Sequence, residues 1–119
     1  MNQSQSTARF EIVDTNQIEG VPCPCGVTRR AFVDDVDKVA SLHVVEIHEE
    51  GKTHYHKKLT EIYFVLEGKG LMELDGRQFP VQAGSAILIK PGCRHRAIGK
   101  LKIINVPIPA FDPEDEWYD

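Results

Sequence analysis

HYHKKLTEIYFVLEG, residues 54–68, is the stretch on which the reading of this chain turns. In extended backbone, successive side chains point to opposite faces, so His54 and His56 share one side and Tyr55 takes the other. Two neutral imidazoles two residues apart grip one ion. Glu61 stands at the head of the next apolar run and supplies a third corner. His95 has to arrive from a distant strand. Three imidazoles and a carboxylate form the ligand set of one divalent transition metal, drawn from Fe, Mn, Zn, Ni and Co. Such a split set exists only once the chain has folded, so metal and fold are expected to stabilise each other. Four protein ligands leave room for substrate or water on an octahedral ion.

Working outward, the chain reads as a series of short strands. Expected strands are residues 27–33, 39–48, 54–56, 61–66, 71–74, 78–81, 86–89, 94–98 and 101–108, rich in β-branched and aromatic residues. Glu67-Gly68-Lys69-Gly70 reads as a turn, and Asp75-Gly76 as a tight hairpin. The segment 18–26, with Gly20, Pro22, Pro24 and Gly26, reads as an ordered loop. No helix longer than a turn is expected. The architecture is therefore all-β, a sandwich or barrel. Residues 1–9 are expected to be a flexible tail, 10–111 a single barrel domain, and 112–119 an acidic, solvated tail in which Trp117 and Tyr118 can dock.

Composition agrees. The 119 residues are 41% hydrophobic and 27% charged, enough for one core. A net charge of −4 argues against nucleic acid. No apolar run approaches the ~20 residues of a membrane helix. The polar start, MNQSQSTARF, has no apolar signal region, so a cytoplasmic protein is expected. Three cysteines in a reducing compartment make a disulfide framework unexpected.

The run 54–68 resembles the first motif of the cupins: His-x-His, four residues, Glu, six residues, Gly. GSAILIKPGCRH, residues 84–95, resembles the second: Gly, five residues, then a Pro-x-Gly turn, two residues, His. Lys90 stands where the family usually has Pro, with Pro91 directly after it. The resemblance leaves the N-terminal third uncovered. It implies a jelly-roll barrel, the cupin double-stranded β-helix, with His54, His56, Glu61 and His95 around a metal inside it. The ligand argument reaches the same four residues independently.

Strand alternation extends the site. If Glu61 faces inward, so do Tyr63 and Val65, while Ile62, Phe64 and Leu66 pack the other face. Glu61 and Tyr63 are the candidate catalytic pair, and His43 and Cys93 are further groups able to move protons. Cys93 shares the His95 side if the chain is already extended there. Of Arg29 and Arg30, one points inward and can meet an anionic ligand. Cys23 and Cys25 form a two-thiol hook with no second pair, which argues against a closed zinc site. Thiols so spaced are expected to pair poorly. These residues are the candidate pocket lining.

The small single-domain cupins this chain resembles include isomerases and epimerases, dioxygenases, and ligand-binding modules. The function expected is metal-dependent catalysis on a small oxygenated substrate, isomerase- or dioxygenase-like. The alternative is a non-catalytic, metal-containing sugar or small-ligand module. A homodimer is expected, with Phe10–Val13 crossing to the partner.

Overall fold

A computed structural model of the protein describes residues 8–119; the expected tail 1–9 lies mostly outside the described residues. Eight strands appear in chain order: β1 (Val21–Cys23), β2 (Gly26–Ala31), β3 (Leu42–Ile47), β4 (Thr60–Leu74), β5 (Arg77–Gln82), β6 (Ala86–Ile89), β7 (His95–Ile98) and β8 (Leu101–Ile108). The only helical pieces among the described residues are 3₁₀ turns at Thr15–Gln17 and Pro113–Asp115. None is long and apolar enough to cross a membrane.

All pairings are antiparallel. One sheet runs β1-β2-β3-β8-β4-β6, and the other places β5 and β7 on either side of the second half of β4. This is the all-β cupin-type barrel expected. One correction concerns its spine. Glu67-Gly68-Lys69-Gly70 is not a turn; β4 continues through it for 15 residues. Its register against β8 slips between Val65 and Glu67, and the strand then passes from one sheet into the other. Local glycine content suggested a break, but ladder bonds on both sides hold the segment extended.

Gly68 has a positive φ of 98° at this corner, and a Cβ there would overlap the Lys100 carbonyl oxygen. Asp75-Gly76 forms the expected hairpin, both residues at positive φ. Residues 54–56 make only isolated bridges, His54 to His95 and Tyr55 to Trp117. The segment expected to be a loop contributes β1.

Alternation along β4 and β8 builds the interior. Glu61, Tyr63 and Val65 are buried, as expected; Ile62, Phe64 and Leu66 take the opposite face, as expected, but lie exposed rather than packed. Met72, Val65, Ile103, Leu101 and Ala97 fill the apolar core, each at most 4% exposed. Phe10–Val13 joins no strand of its own chain and lies exposed.

Candidate metal centre

The four ligands come from three segments of the chain. His54 and His56 flank a bridge at the barrel mouth, Glu61 heads β4, and His95 opens β7, where its backbone exchanges both hydrogen bonds with His54 at 2.9 and 3.2 Å. All four are buried, between 0 and 5% exposed, and one donor atom from each lies within 4.8 Å of the others. They are placed to bind a metal.

The donor chemistry supports the fit. Glu61 Oε1 lies 3.2 Å from His56 Nε2 and 3.1 Å from His95 Nε2. Yet all three atoms are buried without a hydrogen bond of proper geometry. Three orphaned, converging lone-pair donors in one place are costly unless a cation satisfies them. The other faces of these groups are held. His54 Nδ1 donates to the Lys52 carbonyl at 2.8 Å, His95 Nδ1 to the Cys93 carbonyl at 2.8 Å, and His56 Nδ1 to the Asp115 carbonyl at 2.6 Å. A carbonyl only accepts, so each Nδ1 carries the proton and each Nε2 is left for the metal. Glu61 Oε2 accepts from Asn105 Nδ2 at 2.8 Å, which leaves Oε1 as the single free oxygen.

Electrostatics follow from burial. Burial, helped by His95, pulls the His54 pKa down to about 4, so its ring is neutral near pH 7. Burial alone would also lower His56, but Glu61 and the Asp115 carbonyl outweigh it and the net direction is up. Burial alone would raise Glu61, but His56 and His95 beside it outweigh that and hold it well below the usual carboxylate range.

A polar row crosses the inner face next to the ligands. Register pairs Arg30 with His43, His43 with Asn105, and Asn105 with Tyr63. Arg30 is thus the inward arginine; its guanidinium lies over the Phe111 ring at 4.5 Å, and its Nε has no partner. Arg29 faces out and ties down the Ile18 carbonyl. His43 Nε2 meets Ser41 Oγ at 2.8 Å. Tyr63 turns its edge to the His95 ring, and burial followed by the charges of Glu61 and Glu116 keeps its phenol protonated far into alkali.

Cys93 lends the site its carbonyl rather than its thiol. Its Sγ lies near the Arg94 carbonyl, outside the ligand cluster, and burial pushes the thiol pKa up. Cys23 and Cys25 require a correction: they form a disulfide. Cys23 pairs with Gly26 across the β1–β2 hairpin, and the tight turn brings the two Cα atoms to 5.2 Å, inside the usual bridging range. Cys25 also lines a small cavity with His54, Tyr63 and Asn105.

Asn105, Ser41 and Glu116 were not among the candidates. Asn105 was open to discovery, as a polar residue at an inward position of the alternating strand 101–108. Glu116 had no such signal. It is half-buried, its carboxyl pushed up by burial and by Glu61 while His56 and Arg30 pull it down.

One pH effect follows. Burial, then Arg30, lowers the His43 pKa to about 4, below its unfolded value near 6.5. The neutral ring is favoured in the fold, so this stabilisation is present above pH 6.5 and drains away as pH falls toward 4. The loss approaches roughly 3 kcal/mol. In metal-free protein, His43→Gln is expected to remove about one proton from the pH slope of unfolding free energy over that window. An unchanged slope would show that His43 does not titrate this way.

A family model described as a cupin domain matches residues 41–101. An uncharacterized protein of Methanocaldococcus jannaschii is 38% identical over 76 residues, 60% of this chain and 61% of that protein. The chain thus spans about three fifths of the length of this curated relative. A crystal structure of a protein from Planctomyces limnophilus superposes with a TM-score of 0.86 at 40% identity, covering 95% of this chain and all of that one. A Streptomyces Pac13 variant with uridine superposes at 0.79 with 19% identity, covering 92% and 89%, which speaks to the fold alone. Pac13 is described as a nucleoside dehydratase.

Proposed function

Because the chain belongs to the cupin domain family, we propose that it is an enzyme holding one divalent transition metal through His54, His56, Glu61 and His95 and acting on a small oxygenated substrate. The observation that carries this is the set of orphaned donors, His56 Nε2, His95 Nε2 and Glu61 Oε1, converging in a buried site. When bound, the metal supplies Lewis-acid polarisation of a carbonyl or hydroxyl oxygen.

The remaining groups suit proton movement beside that oxygen. Tyr63 stays protonated and serves as a hydrogen-bond donor rather than a base. Glu61 is pinned by Asn105, which favours a fixed ligand over a base that swings free. Glu116 is the second carboxylate near the ligands, and its raised pKa brings it toward the range useful for general acid–base work. Among cupin reactions, this pattern favours isomerisation, epimerisation or dehydration over oxygen chemistry. The dehydratase named for Pac13 is compatible with it. The cavity that touches the ligands, lined by His54, Tyr63 and Asn105, is small, about 20 Å³. A groove of about 540 Å³ bordered by Arg30, Lys58, Phe111 and Asp115 has the size of a small-molecule site, but none of the four ligands lines it. The exposed outer residues Ile62, Phe64, Leu88 and Ile108 support a second copy of the chain as partner.

The test starts with elemental analysis of untagged protein beside His54→Ala/His56→Ala. About one Fe, Mn, Zn, Ni or Co per chain is expected, and none in the variant. Metal-loaded protein is then incubated in deuterated water with small hydroxy-carbonyl compounds and followed by NMR. Metal-dependent deuterium incorporation or product, lost in Glu116→Gln, supports the enzyme. Compounds that perturb a cobalt-loaded site yet return unchanged would replace it with a binding module.

A further inference from the structure

Each histidine ligand must hold its ring so that Nε2 faces the centre. For two of them the clamp is local. His54 and His95 each use the carbonyl two residues back, at Lys52 and Cys93. His56 has no such neighbour. Its Nδ1 donates to the carbonyl of Asp115, 59 residues along the chain.

That carbonyl is itself held from several sides. Asp115 is only 3% exposed, although the segment around it is acidic. Its carboxylate accepts the backbone N–H groups of Lys57 at 3.0 Å, Lys58 at 2.9 Å and Leu59 at 3.1 Å, and the Trp117 indole N–H at 3.1 Å. Trp117 then exchanges both backbone hydrogen bonds with Tyr55, at 2.9 and 3.0 Å, and carries the Lys57 ammonium 3.5 Å from its ring centre. Asp119 closes the segment with a paired contact to Arg94. The tail therefore grips His56 through its neighbours on either side. The segment is extended at Glu116, so alternation turns Glu116 and Tyr118 away from the Asp115–Trp117 side. Tyr118 accordingly stacks toward the His54 ring, 6.3 Å between centroids.

We propose that the C-terminal segment 112–119 is a working part of the metal centre, with Asp115 the positioning residue that fixes the ring of His56. The proposal rests on the metal-binding reading above. A strap that merely closed the barrel end would stabilise the fold without selecting one ligand. Here the contact is specific to one of three histidines. Losing such an outer contact typically costs 10- to 100-fold in metal affinity.

The experiment compares wild type, Asp115→Ala, Asp115→Asn and a chain ending at Phe111. The first readout is nitrogen-15 NMR of the histidine rings in metal-free protein. Wild type is expected to show a protonated, exchange-protected Nδ1 on His54, His56 and His95. Asp115→Ala and the shortened chain are expected to lose that of His56 alone. The second readout is zinc affinity by chelator competition, expected to fall about 10- to 100-fold in both, with Asp115→Asn recovering part of the loss. An unchanged His56 Nδ1 together with affinity within about twofold of wild type would overturn the proposal. Should Asp115→Ala not fold, Trp117→Ala, which removes the indole hydrogen bond to the Asp115 carboxylate and leaves those of Lys57, Lys58 and Leu59, is expected to move both readouts the same way by a smaller amount, and no change in either would overturn the proposal. If wild type takes up no zinc, the metal-binding reading fails, while the ring NMR still decides whether Asp115 holds His56.

Discussion

Alanine at position 68 is expected to destabilise the metal-free barrel by more than about 3 kcal/mol, or to prevent folding. Two costs add. The backbone at Gly68 has φ of 98°, where an L side chain is strained by roughly 1–3 kcal/mol. The new Cβ would also press on the Lys100 carbonyl oxygen and reach Leu101 Cα at 3.3 Å, backbone atoms at the entry to β8 that cannot rotate aside. Relief would require β4 and β8 to part at the point where β4 changes sheets. Against a typical total of 5–15 kcal/mol, that is a large share. Gly76→Ala is the control. It has φ of 81° but open space around its Cβ, so only the backbone cost of about 1 kcal/mol is expected. Urea unfolding of both variants separates strain from clash; equal losses would show that the close approach to β8 does not matter.

His95→Ala is expected to empty the metal centre. The residue is fully buried, supplies one of four ligand atoms, and its Nε2 lone pair has no hydrogen-bond partner. Metal per chain is expected to fall from about one to below about 0.1, with affinity down more than about 1,000-fold, around 4 kcal/mol. The consequence for stability is linked. Metal held at 1,000 times its dissociation constant stabilises the fold by about 4 kcal/mol, so a chelator should lower the melting temperature of wild type clearly. The same chelator should leave His95→Ala where it was. Comparing the two metal-free forms separates metal loss from the cavity left by the missing ring. Retention of stoichiometric metal in the variant would remove His95 from the ligand set.

Much of the site was legible because strand alternation is a strict rule. Once Glu61 was set inward, Tyr63 and Val65 followed, and the bounds of strand 101–108 match β8. The ligand residues announced themselves by chemistry and spacing. What escaped notice depended on contacts far apart in the chain. Glu67–Gly70 looked like a break because glycines are read locally, whereas the ladders on both sides keep β4 whole. Cys23 and Cys25 looked unable to pair until the hairpin turn between them was visible. Arg29 and Arg30 could be separated only by the register against β3. Asp115 sits in a run of acids that reads as solvated, and nothing nearby signals that one of them caps a loop nearly sixty residues earlier.

The continuity of β4 also governs how the barrel opens. A single strand belongs to both sheets, bonded to β8 and β6 over one half and to β5 and β7 over the other. Two sheets joined only by loops can separate as independent units; two sheets stitched by a common strand cannot. Local opening is therefore expected to start at the periphery, at β1, which pairs with β2 alone. The amides at the centre of β4 are expected to be among the last to exchange with solvent, approaching the global unfolding limit. Glu61, near the head of that strand, is held between β6 and β8 on its two sides.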